Sequence, residues 1–337
     1  MQNDQAIAKP PLLVQVAKQP YLFSVLCKAR LFYSRHFLVR LERTEYRREK
    51  HLFKMSPFET ERYDEMRRQG FTVLHDFFDV GRIDLIYEKA DRLFRELQIY
   101  TGTGYSVEKK RRQSFEGLTY QELESSEKFV SLQDPLLNVP ECIEMIFNES
   151  ILKIVANFLR YMPPRYRPLI VRDFPHDRPR ESSNFHKDNN DCDTVQVFVY
   201  LVDIDDTRGP LVYVPGTHRY DVRSCRPKEN RDLGIDDNDG RVGDSDLEKY
   251  YPRETWATLK VKRGSVVIIH GNGFHKGPSW STYGDPRNRA RTAIRVDAHG
   301  NSARTTYRGG GEKIKREAYD GLSGLQKLFA KWYTVTE

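Results

Sequence analysis

Asn184-Phe185-His186-Lys187-Asp188, followed by Thr194-Val-Gln-Val-Phe-Val-Tyr-Leu-Val-Asp203, is the stretch on which the reading of this chain turns. The second segment is rich in β-branched and aromatic residues and is apolar at both parities, which predicts a strand buried on both faces. In the first segment a histidine and an aspartate are separated by one residue. On an extended backbone they project to the same side, because strand side chains alternate. One imidazole and one carboxylate so placed can share a divalent metal. A later histidine would complete the two-histidine, one-carboxylate face of non-haem Fe(II) oxygenases, whose remaining coordination positions stay open.

Around this stretch the sequence reads as a succession of short strands. Phe71–Phe78 and Leu169–Phe174 precede it; Leu211–Val214, Trp256–Lys262, Ser265–His270 and Arg291–Val296 follow, joined by turns bearing Gly and Pro. Leu211–Val214 is expected to return directly from the Thr194–Asp203 strand through the turn Asp205–Pro210. Short strands at even spacing predict a mainly β protein with flanking helices, built on a double-stranded β-helix, the jelly roll of cupin-like folds. Helices are expected over residues 57–70, where Ser56 is the N-cap and Pro57 the first helical residue. Further helices are expected over 80–100, where apolar residues recur at helical spacing, over 140–159 and over 316–333.

The chain divides into three regions. Residues 1–55 form a basic extension, expected to be helical from Tyr21 to His51. Residues 56–310 form the β domain, and residues 311–337 a C-terminal helix packed on it. Within the domain, residues 223–254 are polar and charged and read as a long, lid-like surface loop, an active-site lid or a disordered insert. Asp237-Asn-Asp-Gly240 inside it fails as a calcium loop: aligning its glycine puts Ile235 at the first ligand position. Thr101–Tyr105 and Lys109–Arg112 lack the order of a phosphate-binding loop and read as a solvated connection.

Composition narrows the class. Of 337 residues, 38% are hydrophobic and 31% charged, with a formal charge of +7, as in an ordinary soluble domain. The four cysteines show no CxxC pair, which fits reduced thiols in the cytoplasm and neither a disulfide frame nor a zinc cluster. The apolar stretch from Pro11 to Val39 is broken by Lys18, Lys28, Arg30 and Arg35. It does not span a bilayer; it is expected to pack on the main domain, the alternative being a weak membrane-surface contact of residues 1–55 as a basic amphipathic helix. Nucleic acid is disfavoured, since aromatic and basic residues do not interleave there. Oligomeric state is not readable.

Taken together, Arg68-Gln-Gly-Phe-Thr-Val-Leu74, Phe185-His-Lys-Asp188, Gly209-Pro-Leu-Val-Tyr-Val-Pro-Gly-Thr-His218, Gly264-Ser-Val-Val-Ile-Ile-His270, Gly273-Phe-His275 and Arg291-Thr-Ala-Ile294 occur in an order that resembles the phytanoyl-CoA dioxygenase family. That family comprises Fe(II)- and 2-oxoglutarate-dependent oxygenases. The resemblance covers roughly residues 58–300. It implies that His186, Asp188 and His275 are the iron ligands, with His270 in reserve for the distal position and His218 bracing a turn. It also implies that Arg291 anchors the far carboxylate of 2-oxoglutarate through its planar guanidinium. Arg295 shares the face of Arg291, and Arg289 lies just outside the strand. Gln196, Phe198 and Tyr200 alternate on the face expected to line the cavity, where they contact 2-oxoglutarate or substrate. The cofactors implied are Fe(II), 2-oxoglutarate and O2, with ascorbate as an aid. The reaction implied is hydroxylation of an unactivated C–H bond in a small-molecule, lipid or glycan-type substrate, with release of succinate and CO2. Related halogenases carry a small residue where Asp188 stands, so its carboxylate argues for hydroxylation or a related outcome such as desaturation. The alternatives are a non-catalytic jelly-roll binding module and a membrane-surface protein acting through the basic extension.

Overall fold

The computed structural model describes residues 40–96, 103–106, 111–114, 129–132, 134–175, 183–188, 194–219, 241–277, 289–299 and 312–337. Helix α1 (Arg40–Arg48) leads into a single 3-10 turn (Lys50–Phe53). The Tyr46 hydroxyl donates to Asn157 Oδ1 at 2.8 Å and Phe53 is buried in the main core, so these residues pack on the body of the protein. Residues 1–39, with most of the expected helix and the alternative membrane-surface contact, lie outside the described residues.

Helix α2 (Pro57–Gln69) begins where its sequence signals place it. Ser56 Oγ accepts from the Glu59 N–H at 3.2 Å, and Glu59 Oε2 accepts from the Ser56 N–H at 2.6 Å, a reciprocal capping box. Gly70 ends the helix at φ 92°, the left-handed conformation in which a Cβ is costly. Strand β1 (Phe71–Leu74) and helix α3 (Val80–Glu96) follow. Strands β2 (Thr103–Ser106) and β3 (Arg111–Ser114) form an antiparallel hairpin where a solvated loop was expected; Thr103 and Tyr105 supply β propensity that the neighbouring glycines obscure. After β4 (Phe129–Leu132), helix α4 covers only Glu149–Leu159. The expected helix from residue 140 is interrupted because the Asn148 side chain accepts from the N–H groups of Ser150 and Ile151, an N-cap that restarts the helix there.

The remaining strands are β5 (Arg165–Asp173), β6 (Phe185–His186), β7 (Thr194–Tyr200), β8 (Leu211–Tyr213), β9 (Arg241–Val242), β10 (Ala257–Leu259), β11 (Val266–His270), β12 (His275–Lys276) and β13 (Arg291–His299). At the C-terminus β14 (Lys313–Lys315) and β15 (Thr334–Thr336) pair in parallel. The helix expected over 316–333 is split into Arg316–Asp320 and α5 (Gly324–Ala330). Ser323 starts α5 with a second capping box, its hydroxyl accepting from Gln326 N and its own N–H donating to Gln326 Oε1.

Two sheets carry the core, in the orders β1-β11-β7-β13-β5-β4 and β10-β8-β12-β6-β9. Every pairing within them is antiparallel. From β5 to β8 and again from β10 to β13 the chain passes back and forth between the sheets, winding them into a double-stranded β-helix with both sheets facing one interior. This winding corrects one local expectation. Strand β8 does not fold back on β7; it pairs with β10 and β12 in the second sheet. The lid-like loop expected over 223–254 is corrected in its second half: Arg241–Val242 forms β9 beside β6, and Asp244–Glu248 is helical. Residues 220–240 lie outside the described residues.

The two-sided apolarity of β7 now has its cause. Val195, Val197 and Val199 pack with α3 and α4 in the main core, while Tyr200 and partly buried Phe198 belong to a second cluster between the sheets with Leu169, Val267 and Ala293. The helix layer is fastened to the first sheet by Arg172 of β5. Its guanidinium donates to Asp91 Oδ1 at 2.7 Å and Thr292 Oγ1 at 3.1 Å and lies 4.6 Å from the Phe94 ring centroid. Among the described residues, no helix is long and apolar enough to cross a membrane.

Asp91→Ala is expected to cost about 3 kcal/mol of unfolding free energy, because it strips a buried guanidinium of its carboxylate. Ser56→Ala is expected to cost about 1 kcal/mol. Urea unfolding followed by far-UV circular dichroism measures both.

Candidate metal centre

Strands β6 and β12 are neighbours in the second sheet, and their register sets His275 directly opposite His186. Residues opposite each other in an antiparallel pair project to the same face, so both imidazoles enter the space between the sheets, with ring centroids 4.4 Å apart. Asp188 follows β6 and keeps the same parity. His186 Nε2 lies 3.8 Å from Asp188 Oδ1, and His275 Nε2 lies 3.7 Å from Asp188 Oδ2. One ligand atom from each of the three residues falls within 4.8 Å of the others.

Each imidazole is fixed in tautomer by its own strand. His186 Nδ1 is 3.0 Å from the Asn184 carbonyl and His275 Nδ1 is 2.9 Å from the Gly273 carbonyl. A carbonyl only accepts, so both Nδ1 atoms carry the proton and both Nε2 lone pairs face Asp188. Burial, reinforced by the neighbouring His275, holds the His186 pKa down to about 4 against the pull of Asp188, so the ring is neutral and able to ligate at neutral pH. The carboxylate is oriented twice over. Its backbone N–H donates to the Gly271 carbonyl at 2.7 Å, and Gln196 Nε2 donates to Asp188 Oδ2 at 2.7 Å. Two imidazoles and a carboxylate, with thiolate absent, form a donor set that fits Fe(II).

Tyr213, which no sequence pattern singles out, wedges the centre from behind. Its ring stacks on His275 at 6.2 Å with 14° between planes, and its hydroxyl donates to the His270 carbonyl at 2.9 Å. The backbone must leave it room: a Cβ on Gly273 would stand 1.9 Å from Tyr213 Oη, and one on Gly271 would stand 2.8 Å from Asp188 Oδ2. The opposite faces of the ligand strands are also held. Lys187 donates to the Thr217 carbonyl at 2.7 Å and lies over Phe274, while Lys276 places its ammonium 2.7 Å from both Asp244 oxygens, beside the rings of Phe185 and Trp256.

The other expected site residues divide. Gln196 supports a ligand through the bond already given. Phe198 and Tyr200 do share the inner face of β7, their rings stacked at 6.1 Å. The Tyr200 hydroxyl is buried and makes no hydrogen bond among the described residues. Arg291 enters the same interior at β13, where Nη1 donates to the Gly209 carbonyl and Nη2 to Asp173 Oδ2, both at 3.2 Å. Arg295, two positions along the same face, donates from Nε to Asp297 Oδ1 at 2.8 Å. Arg289 stays on the rim against Thr207. His270, the reserve ligand, is not brought to the cluster; its ring packs against Phe158 and His218. His218 braces the turn, its Nε2 donating to the Arg67 carbonyl at 3.2 Å.

Residues 66–288 match the family model described as Phytanoyl-CoA dioxygenase (PhyH). A comparison with curated proteins gives no match. Among solved structures the chain is similar to the epimerase SnoN in complex with Fe3+, alpha ketoglutarate and nogalamycin RO, at 14% identity and a TM-score of 0.47, covering 72% of this chain and 84% of that one. It is similar to HygX from Streptomyces hygroscopicus with nickel and 2-oxoglutarate bound, at 16% identity and a TM-score of 0.44, covering 79% and 92%. It is also similar to EctD from S. alaskensis in its apoform, at 14% identity and a TM-score of 0.47, covering 73% and 77%. At these values the likenesses transfer no residue role and no substrate to this chain.

Gly273→Ala is expected to weaken divalent-metal binding by at least about tenfold, because the new methyl displaces Tyr213 and with it His275. Adding Tyr213→Phe should recover little, because the ring carbons Cζ and Cε1 would still stand 2.4 and 2.9 Å from the new methyl. Titration of the apoprotein with Co(II), followed by visible absorption, reads both.

Proposed function

Because the chain belongs to the phytanoyl-CoA dioxygenase family, we propose that it is an Fe(II)- and 2-oxoglutarate-dependent oxygenase that hydroxylates an unactivated C–H bond of a small organic substrate, of metabolite, lipid or glycan type. The observation that carries this reading is the convergence of His186, Asp188 and His275 on one point, with both Nε2 lone pairs free for a metal. The bound iron and 2-oxo acid would supply the oxidising chemistry, with succinate and CO2 as by-products.

The chain's own residues have four tasks. His186, Asp188 and His275 would hold the metal from the second sheet. Asn184, Gly273 and Gln196 keep those ligands in the protonation state and orientation that bind. Arg291 and Tyr200 take the far carboxylate of 2-oxoglutarate. The buried Tyr200 hydroxyl without a partner supports this, since an unmade hydrogen bond is costly unless a ligand completes it. Arg291 is close enough to act electrostatically on that hydroxyl. Phe198 and the apolar residues between the sheets keep water from the reacting centre, where charge interactions are then stronger. The carboxylate of Asp188, at the position where related halogenases carry a small residue, supports hydroxylation or a related outcome such as desaturation.

Wild-type protein with Fe(II), 2-oxoglutarate, O2 and ascorbate is expected to release succinate slowly without added substrate, and faster with a substrate whose product gains one oxygen atom. His186→Ala should release none. Arg291→Gln should raise the KM for 2-oxoglutarate by at least about thirtyfold and Tyr200→Phe by about fivefold, in line with the loss of an ion pair and of a single hydrogen bond. Succinate release from a fully folded His186→Ala protein at the wild-type rate would overturn the proposal.

A further inference from the structure

Two guanidinium groups lie on the inner face of β13, and the reading above uses only one. The register of β13 on β7 gives each a level: Asp297 opposite Gln196, Arg295 opposite Phe198 and Ala293 opposite Tyr200. Gln196 touches Asp188, so its pair marks the level of the metal ligands. Tyr200 marks the level of the partnerless hydroxyl. Arg295 stands between them, two residues or roughly 7 Å of strand from the metal level.

The hydrogen bonding of the two arginines differs in kind. Arg291 has both Nη atoms engaged, by Gly209 and Asp173. Arg295 is fixed only through Nε, to Asp297 at 2.8 Å. Its two Nη atoms make no hydrogen bond among the described residues, and its side chain, although deep between the sheets, keeps 26% of its surface accessible. A guanidinium tied at Nε and open along the Nη1–Nη2 edge is preorganised to donate to an incoming oxyanion. The charge is secure: burial opposes it, yet Asp297 and Asp188 together raise its pKa. The register sets the side chain one pair from the level of Gln196, which bonds Asp188.

We infer that Arg295 binds the metal-proximal carboxylate of the 2-oxo acid, opposite the end held by Arg291 and Tyr200, with Asp297 as the positioning residue that aims it. The inference rests on the oxygenase reading given above. It makes the co-substrate site a two-arginine site, one guanidinium for each carboxylate, and it assigns the Arg295–Asp297 ion pair to ligand binding in addition to its part in packing.

The test uses Co(II)-loaded protein and two ligands, by isothermal titration calorimetry. Oxalate offers the metal-binding carboxylates without the arm that extends toward Arg291; 2-oxoglutarate has both ends. Arg295→Gln is expected to weaken oxalate and 2-oxoglutarate alike, by about tenfold, and Arg295→Lys by about threefold, since the charge survives and the fork does not. Arg291→Gln should weaken 2-oxoglutarate and leave oxalate within about twofold. Thermal melting and the Co(II) spectrum confirm that each variant is folded and metallated, and Arg295→Lys carries the test alone if Arg295→Gln does not fold. Oxalate affinity unchanged in a folded Arg295 variant overturns the inference and leaves the oxygenase reading standing. Failure of wild-type protein to bind Co(II) and 2-oxoglutarate together overturns both.

Discussion

The pairing of β6 with β12 is the constraint on which the site depends. It spans two residues on each strand, yet its register places His275 opposite His186, and a slip of one residue would turn one imidazole away from the other. So short a contact cannot hold itself. It is held because β12 also pairs with β8 and β6 with β9, and because the outer faces of both strands are buried against Phe185, Val214, Val242, Leu247 and Phe274. The Lys276–Asp244 pair adds a charge-assisted clamp to this outer cluster. The second sheet is thus narrow but braced on both edges and from behind.

The first sheet plays the complementary part. Its strands are longer, it is covered by helices on one side, and it presents Gln196, Phe198, Tyr200, Arg291 and Arg295 to the interior on the other. On the proposed reading the metal ligands come from one wall, and the groups that orient or receive ligands from the other. A double-stranded β-helix supplies both walls from successive strands of one chain, which is how residues 186, 196, 275 and 295 reach one cavity.

Much of this was legible in the sequence. The spacing of His186 and Asp188 on an extended segment fixes their common direction, and the double-sided apolarity of β7 marks the central sheet. Ser56-Pro57 and Gly70 bound α2 through cap chemistry that is local. What was not legible depended on register or on partners distant in the chain. His275 could be chosen among nine histidines only through the family's motif order, because its role comes from pairing with β6. The sheet change between β7 and β8 was missed because a turn sequence does not state which strand the chain next pairs with. The helix break at Asn148 and the strand β9 inside a polar stretch were missed because one cap and one short pairing decide them. The bonds of Arg291 to Asp173 and of Arg295 to Asp297 depend on β13 lying beside β5 and β7, and no composition argument anticipates them.

The central claim is that three side chains bind iron in a form that accepts a 2-oxo acid, and its most direct test is an anaerobic optical titration. Adding Fe(II) and then 2-oxoglutarate to the wild-type apoprotein should produce a weak visible charge-transfer band that saturates at one iron per chain. His186→Ala and His275→Ala, folded by circular dichroism, should show no band. Absence of the band in folded, iron-loaded wild-type protein would contradict the account.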